Sequence, residues 1–159
     1  MPVGLENVTV QCNFRESQII GLIAKGFYEA EDIAKELQTS SASIKNGLSK
    51  IYRKLHLDGG TKAKKIRLAI LIHRLMEPPP PMSDWEKERF EYLLSPRERR
   101  IALMVANGAT NEEIAKVFYS TRQAIRQDLQ RLFNKLGFWN RVELAVWASF
   151  KIDASPLIQ

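Results

Sequence analysis

The sequence predicts an all-α fold: two tandem four-helix units joined by a proline-rich linker and a short linker helix. Two observations carry that prediction. Apolar residues recur at i, i+3, i+4 and i+7 through segments bounded by capping residues and glycines, which is the pattern of amphipathic helices. The pattern also occurs twice. With a shift of 81 positions, Ile44, Lys45, Leu48, Ile51, Tyr52, Lys54 and Leu55 fall on Ile125, Arg126, Leu129, Leu132, Phe133, Lys135 and Leu136. Apolar residues replace apolar ones and bases replace bases, as in an internal duplication.

The first unit is assigned to residues 1–76. Residues 1–12 carry little organisation, and Val8-Thr9-Val10 is either a brief extended segment or none. Asn13 opens the first helix as N-cap, with Glu16 placed to close a capping box. Ile19, Ile20, Leu22, Ile23 and Ala24 supply its core stripe. Gly26 ends it, because glycine accepts the left-handed conformation at a helix terminus. A short second helix is expected around Ile33 to Leu37, although Tyr28 and Glu29 stand where Ser or Thr would cap best. Gln38-Thr39-Ser40 turns into the third helix, which runs to Leu55. His56 to Thr61, broken by Gly59-Gly60, reads as a loop. A fourth helix is expected over 64–76, with Ile66, Ala69, Ile70 and either Ile72 or His73 on apolar faces. Helices two and three then stand in helix-turn-helix relation.

Residues 77–93 form the linker. Pro78-Pro79-Pro80-Pro81 cannot continue a helix and favours a stiff polyproline II spacer, with a proline-recognition site as the alternative. Asp84 to Leu94 reads as an acidic helix that Trp85, Phe90 and Leu93 could dock on a neighbour. The second unit spans 94–152. Ser95, Pro96 and Glu98 make a cap, a first-turn proline and a box-closing acid, followed by Ile101, Ala102, Leu103, Val105 and Ala106 up to Gly108. Thr110 and Glu113 can form another capping box ahead of Ile114-Ala115-Lys116-Val117-Phe118. The second copy of the third helix follows, and Arg141 to Lys151 is a last amphipathic helix. Residues 153–159 are a tail expected to fray.

Composition limits the function. The net charge is +6, and it is concentrated: residues 1–76 hold twelve Lys and Arg against seven Asp and Glu, residues 77–159 twelve against eleven. Polyanions are the expected partners of the first half. No apolar run approaches the roughly 20 residues a bilayer-spanning helix needs, and no secretory signal opens the sequence, so no membrane partner and a cytoplasmic location are expected. The lone Cys12 has no intramolecular partner, which suits a reducing compartment. With two histidines, one cysteine, no glycine-rich phosphate loop and no metal-spaced cluster, neither catalysis nor a metal or cofactor is expected.

The third helix of each unit is the candidate site. Opposite its apolar stripe, the first collects Ser43, Asn46, Ser49, Lys50 and Arg53 without a carboxylate. A cationic face bearing amides and hydroxyls can either read a DNA groove or simply be a solvated helix surface.

These blocks resemble the LuxR-type (GerE-like) helix-turn-helix domain of bacterial transcription regulators. Leu94 to Arg99, Asn107 to Ala115, Phe133 to Gly137 and Asn140 to Ala145 carry the resemblance in the second unit. In the first, Ile44-Lys45-Asn46, Leu48-Ser49 and Ile51 to Leu55 carry it, while the opening and second helix diverge. The resemblance implies major-groove binding of double-stranded DNA by the third helices, in the cytoplasm at the bacterial nucleoid. By position, Lys45 and Arg126 match the groove-facing base, and Ser41 or Ser43 and Thr121 or Arg122 the helix-start contacts. Lys50, Arg53, Lys54, Arg131 and Lys135 would meet phosphates, while Asn46, Gln123 and Gln127 are placed to pair with adenine. Two positions depart from the family, which often has His there: Gly47 and Asp128. Asp128 would repel phosphate unless Arg131 or Lys135 neutralises it or it accepts from cytosine.

Proteins of the family this chain resembles usually dimerise through the fourth helix. Pairing of Ile66, Ala69 and Ile70 with Val142, Ala145 and Val146 would make an intramolecular pseudo-dimer. A homodimer is the alternative, and a third possibility is that these residues close each unit's own core. No receiver or ligand-sensing domain is expected. The rival function is a protein-interaction module for RNA polymerase, a sigma factor or another regulator, which Asp128 and the acidic 84–94 helix would suit.

Overall fold

The computed structural model describes residues 11–76 and 93–152, with residues 8, 83, 84 and 88. The chain divides into two compact units, Met1–Pro78 and Pro79–Gln159. Among the described residues there are eight complete helices and no strand. The proline run and the tail lie outside the described residues, as does most of the expected acidic helix, so those three expectations stay as such.

The first unit contains α1 (Phe14–Ala24), α2 (Ala30–Glu36), α3 (Ser41–Lys54) and α4 (Thr61–Leu75). Its starts follow the local chemistry. The Asn13 side chain accepts from the Glu16 amide at 2.9 Å, and the Glu16 carboxylate accepts from the Asn13 amide at 3.0 Å. Both satisfy amides that a helix start leaves without intrahelical partners. Gly26 then takes φ +96°, as a helix-ending glycine should. The second helix starts at Glu29 with no side-chain cap, consistent with the absence of Ser or Thr there. Gln38 turns at φ +51°, and Ser40 caps α3 by accepting from the Ser43 amide.

Packing follows the apolar stripes. α1 lies against α3 and α4, and α2 against α3. Ile19, Ile33, Ile44, Ile51 and Ile72 are wholly buried. Each such side chain contributes about 1.5–3 kcal/mol relative to exposure. Gly47 permits the close approach of α3 to α1: a Cβ there would sit 2.7 Å from Ile19 Cδ1.

The last helix differs from expectation. It begins at Thr61, not at 64, because Gly60 is its N-cap and not merely a breaker. Its buried Ile66, Leu68, Ala69 and Ile72 correspond to Val142, Leu144, Ala145 and Ala148 at a spacing of 76, against 81 for the third helices. The first unit thus carries five more residues at this corner, and part of that insertion is helical. At the far end of the helix, half-buried His73 lies with Nε2 2.8 Å from the Tyr28 hydroxyl.

The second unit contains α5 (Pro96–Ala106), α6 (Asn111–Val117), α7 (Arg122–Leu136) and α8 (Arg141–Lys151). Ser95 with Glu98 and Thr110 with Glu113 form complete capping boxes. Thr121 caps α7 and Asn140 caps α8. Gly108 and Gly137 take positive φ where helices end. Here α5 packs on α7 and α8, and α6 on α7, the same pairings as in the first unit. Half-buried Arg141 donates to Asn111 Oδ1 at 2.6 Å and to the Ala109 carbonyl, tying α8 to the start of α6.

Candidate nucleic-acid interface

The outward face of α7 is set by its inward one. Ile125, Leu129 and Leu132 are buried, so residues on the opposite side are held in water. Arg122, Gln123, Arg126 and Gln127 are exposed, and no hydrogen bond or ion pair occupies them among the described residues. Thr121 is spent on the cap, its hydroxyl accepting from the Ala124 amide at 3.1 Å. Two guanidiniums and two amides therefore stand ready on the first two turns. Such groups pair in the plane of base edges, Arg with guanine and Gln with adenine.

Asp128 does not oppose that face. Its carboxylate is 15% exposed and accepts from Arg97 at 2.9 Å and from Arg131 at 3.3 Å. Arg97, on α5, also lies over the Phe118 ring at 4.5 Å. The acid joins α7 to α5, with its charge met from both sides.

Lys135 and Lys54 are similarly engaged. Lys135 Nζ donates to Glu98 at 2.8 Å, and Lys54 Nζ to Glu16 at 2.7 Å. In each unit the acid that closes the first capping box also receives the lysine from the last turn of the third helix. Glu16 is 2% exposed at its side chain, so its charge depends on that partner. Burial pushes the Glu16 carboxyl up, but hydrogen bonds from Lys54 and the Asn13 amide outweigh it, and the net shift is down. Glu98 behaves alike: burial raises it, Lys135 and the Ser95 amide lower it more. These two lysines, expected from the sequence to meet phosphates, are held as internal ties. Arg131 shares its guanidinium with Asp128.

On α3, Ser43, Asn46, Lys50 and Arg53 are exposed, and Ser41 is half-buried. Lys45 is exposed but not free: its Nζ donates to Glu31 on α2 at 3.1 Å. Glu112, at the position matching Glu31, instead faces Lys116 on its own helix at 3.5 Å, and Arg126 is left open. The sequence held both acids, but only side-chain geometry shows which base each one takes.

Of the six residues expected to pair the fourth helices, Ile66, Ala69, Ile70, Val142 and Ala145 are buried and Val146 is half-buried. α4 packs on α1, and α8 on α5. Cys12 is not an activated thiol. Burial and then the negative charge of Glu16 push its pKa up, opposite to what reactivity requires. Among the described residues no cluster could hold a metal, and no helix is long and apolar enough to cross a membrane.

Residues 92–148 match the model of the family described as bacterial regulatory proteins, luxR family, so this stretch is similar to a luxR-family helix-turn-helix domain. That domain points to DNA-binding transcription regulation. No curated protein and no solved structure shows a significant match to the chain.

Proposed function

We propose that the protein is a sequence-specific transcription regulator that sets α7 into the major groove of double-stranded DNA, with α3 as a second, differently tuned reader. The observation that carries this reading is the open face of Arg122, Gln123, Arg126 and Gln127 with Asp128 turned away into its pairs with Arg97 and Arg131. Support for a second reader comes from the first unit, whose helices repeat the order and pairings of the matched domain, with side-chain caps on the first and third helices of both units. Because Lys45 and Arg126 differ in chemistry and in partners, the two half-sites would differ and the operator would not be palindromic. Selection of binding sites from randomised duplexes tests this. A selected site that loses preference at one base pair with Arg126→Ala supports α7 as reader; recovery of no preferred sequence rejects the proposal.

One observation favours a second reading for the matched domain. Tyr119 is fully exposed and Trp139 is 91% exposed, at the two ends of α7. Exposed aromatics of this size suit a protein contact. Under that reading RNA polymerase, a sigma factor or another regulator docks on α7, and the substitution Trp139→Ala lowers partner binding while leaving DNA affinity unchanged.

A further inference from the structure

The end of α6 carries a surface that the reading face of α7 does not include. Val117 is 40% exposed and Tyr119 is 100% exposed. Between them in the chain, the half-buried Phe118 ring lies under the Arg97 guanidinium at 4.5 Å and the Arg100 guanidinium at 5.4 Å. The two cations differ. Arg97 is neutralised by Asp128, whereas the exposed Arg100 guanidinium takes part in no hydrogen bond or ion pair among the described residues.

Tyr119 is the informative member. Its backbone takes φ +49°, a left-handed conformation that bulky residues rarely adopt. Its ring stands wholly in water, so the fold gains no packing from it. The same turn in the first unit bends alike, with Gln38 at φ +51°, and needs no aromatic to do so. Glu36 and Gln18 there stand where the second unit has Val117 and Arg100. One fold thus carries an ordinary polar surface in one unit and an aromatic ledge beside an open cation in the other.

The ledge also lies away from the open bases of α7. Each residue turns about 100° around a helix, so Asp128, two positions beyond Arg126, projects about 160° from it. Asp128 holds Arg97, and Arg97 covers Phe118, which sets the ledge on the opposite flank of α7 from Arg126.

We propose that Arg100, Val117 and Tyr119 form a docking patch for an acidic, amphipathic segment of a partner protein. A bulky apolar side chain of that segment covers Val117 and Tyr119, and a neighbouring carboxylate pairs with Arg100. Charge complementarity selects this occupant. Arg100 is the uncompensated charge of the patch, and its planar fork matches a carboxylate. Aromatic and arginine side chains are also the commonest anchors of protein interfaces. A phosphate backbone would find there a single open cation and an apolar ledge that contributes nothing to holding it. A partner seated on the patch leaves the Arg126 face open, so this docking is independent of what α7 itself meets.

Arg100→Gln and Tyr119→Gln in the full chain test the patch, since each places the first unit's residue at the same point of the fold. Circular dichroism checks the folding of both. A displayed library of random peptides is depleted on the double variant and then selected on the parent. Affinities of the enriched peptides are read by fluorescence anisotropy. The expected peptides carry Asp or Glu beside Leu, Phe or Trp. Their affinity should fall about tenfold with Tyr119→Gln and about three- to tenfold with Arg100→Gln, and stay at the parent value with Arg126→Ala and Trp139→Ala. Changing the peptide acid to Lys should abolish binding to the parent and restore it to Arg100→Glu. Enrichment of no peptide, enrichment of peptides without an acid, or affinity unchanged in both patch variants overturns the patch. A loss with Arg126→Ala or Trp139→Ala places the contact on α7 instead and overturns it as well. Duplex binding is measured alongside and should be equal in the parent and the patch variants. A duplex loss matching that of Arg126→Ala would make the ledge part of a DNA surface and overturn the protein occupant.

Discussion

Glu16 takes part in both a helix cap and an ion pair between helices. It closes the α1 cap, is almost fully buried, and holds Lys54 from 38 residues away. Glu16→Gln keeps the shape and removes the charge. It should destabilise the first unit by about 1–3 kcal/mol, since a charged hydrogen bond is lost and a cap amide is less well served. Urea unfolding checks this, and an unchanged midpoint would show that the tie contributes nothing. Gly47 poses an opposing pair of effects. Alanine gains about 1 kcal/mol of helix propensity over glycine, but its Cβ meets Ile19 Cδ1 at 2.7 Å in a site where Ile19 is wholly buried. Overpacking of that kind costs about 1–3 kcal/mol, so Gly47→Ala should lower the unfolding midpoint. An increase would mean that Ile19 can rotate away freely.

At the scale of the element, α3 and α7 share their inward residues and differ in what holds their outward bases. Lys45 is tied to Glu31 across an exposed contact, and Arg126 is untied. Exposed pairs contribute little, about 0–1 kcal/mol, so the tie tunes and does not block. Glu31→Gln should therefore raise duplex affinity two- to fivefold at low salt, with the gain vanishing as salt is added. A binding curve that does not move would show that Lys45 is not in the interface. The helices themselves were legible because caps and glycines act locally: Asn13 with Glu16, Ser95 with Glu98, Thr110 with Glu113. The inserted turn of α4 was not. Gly59-Gly60 reads equally as a breaker or as an N-cap, and only the packing of Leu68 and Ile72 in the core decides between them. The ion pairs of the lysines at the ends of α3 and α7 were not legible for a similar reason: periodicity locates a face, but a long side chain can leave that face for a buried acid.

Across the whole molecule, acid should act in two stages. Burial pushes the His73 pKa down, so the folded state holds fewer protons there than the unfolded chain, and stability falls once the pH drops below about 6.5. Glu16 and Glu98 are lowered by their lysine partners, so their contribution is full above about pH 4.5 and disappears as the pH falls through their depressed values. Unfolding midpoints at pH 7.5, 5.5 and 4 should decline in order, and His73→Gln should flatten the first step only. On the DNA reading proposed here, the two units would bring different resources to the duplex. The first holds most of the net charge, while the second is nearly neutral overall but presents the open Arg126 face. The repeated pattern of apolar and basic residues is visible in the sequence; which charges are already satisfied is not, because that depends on side-chain geometry.

The most direct test of that account sets an open cation against a tied one on the same helix. Duplex affinity across a salt series is measured for the parent, Arg126→Ala and Lys135→Met, with thermal unfolding of each. The account predicts salt-dependent binding that Arg126→Ala weakens, with the slope lower by about one, whereas Lys135→Met keeps the slope and lowers the unfolding temperature. Equal losses of affinity in the two variants, or no salt-dependent binding by the parent, would contradict it.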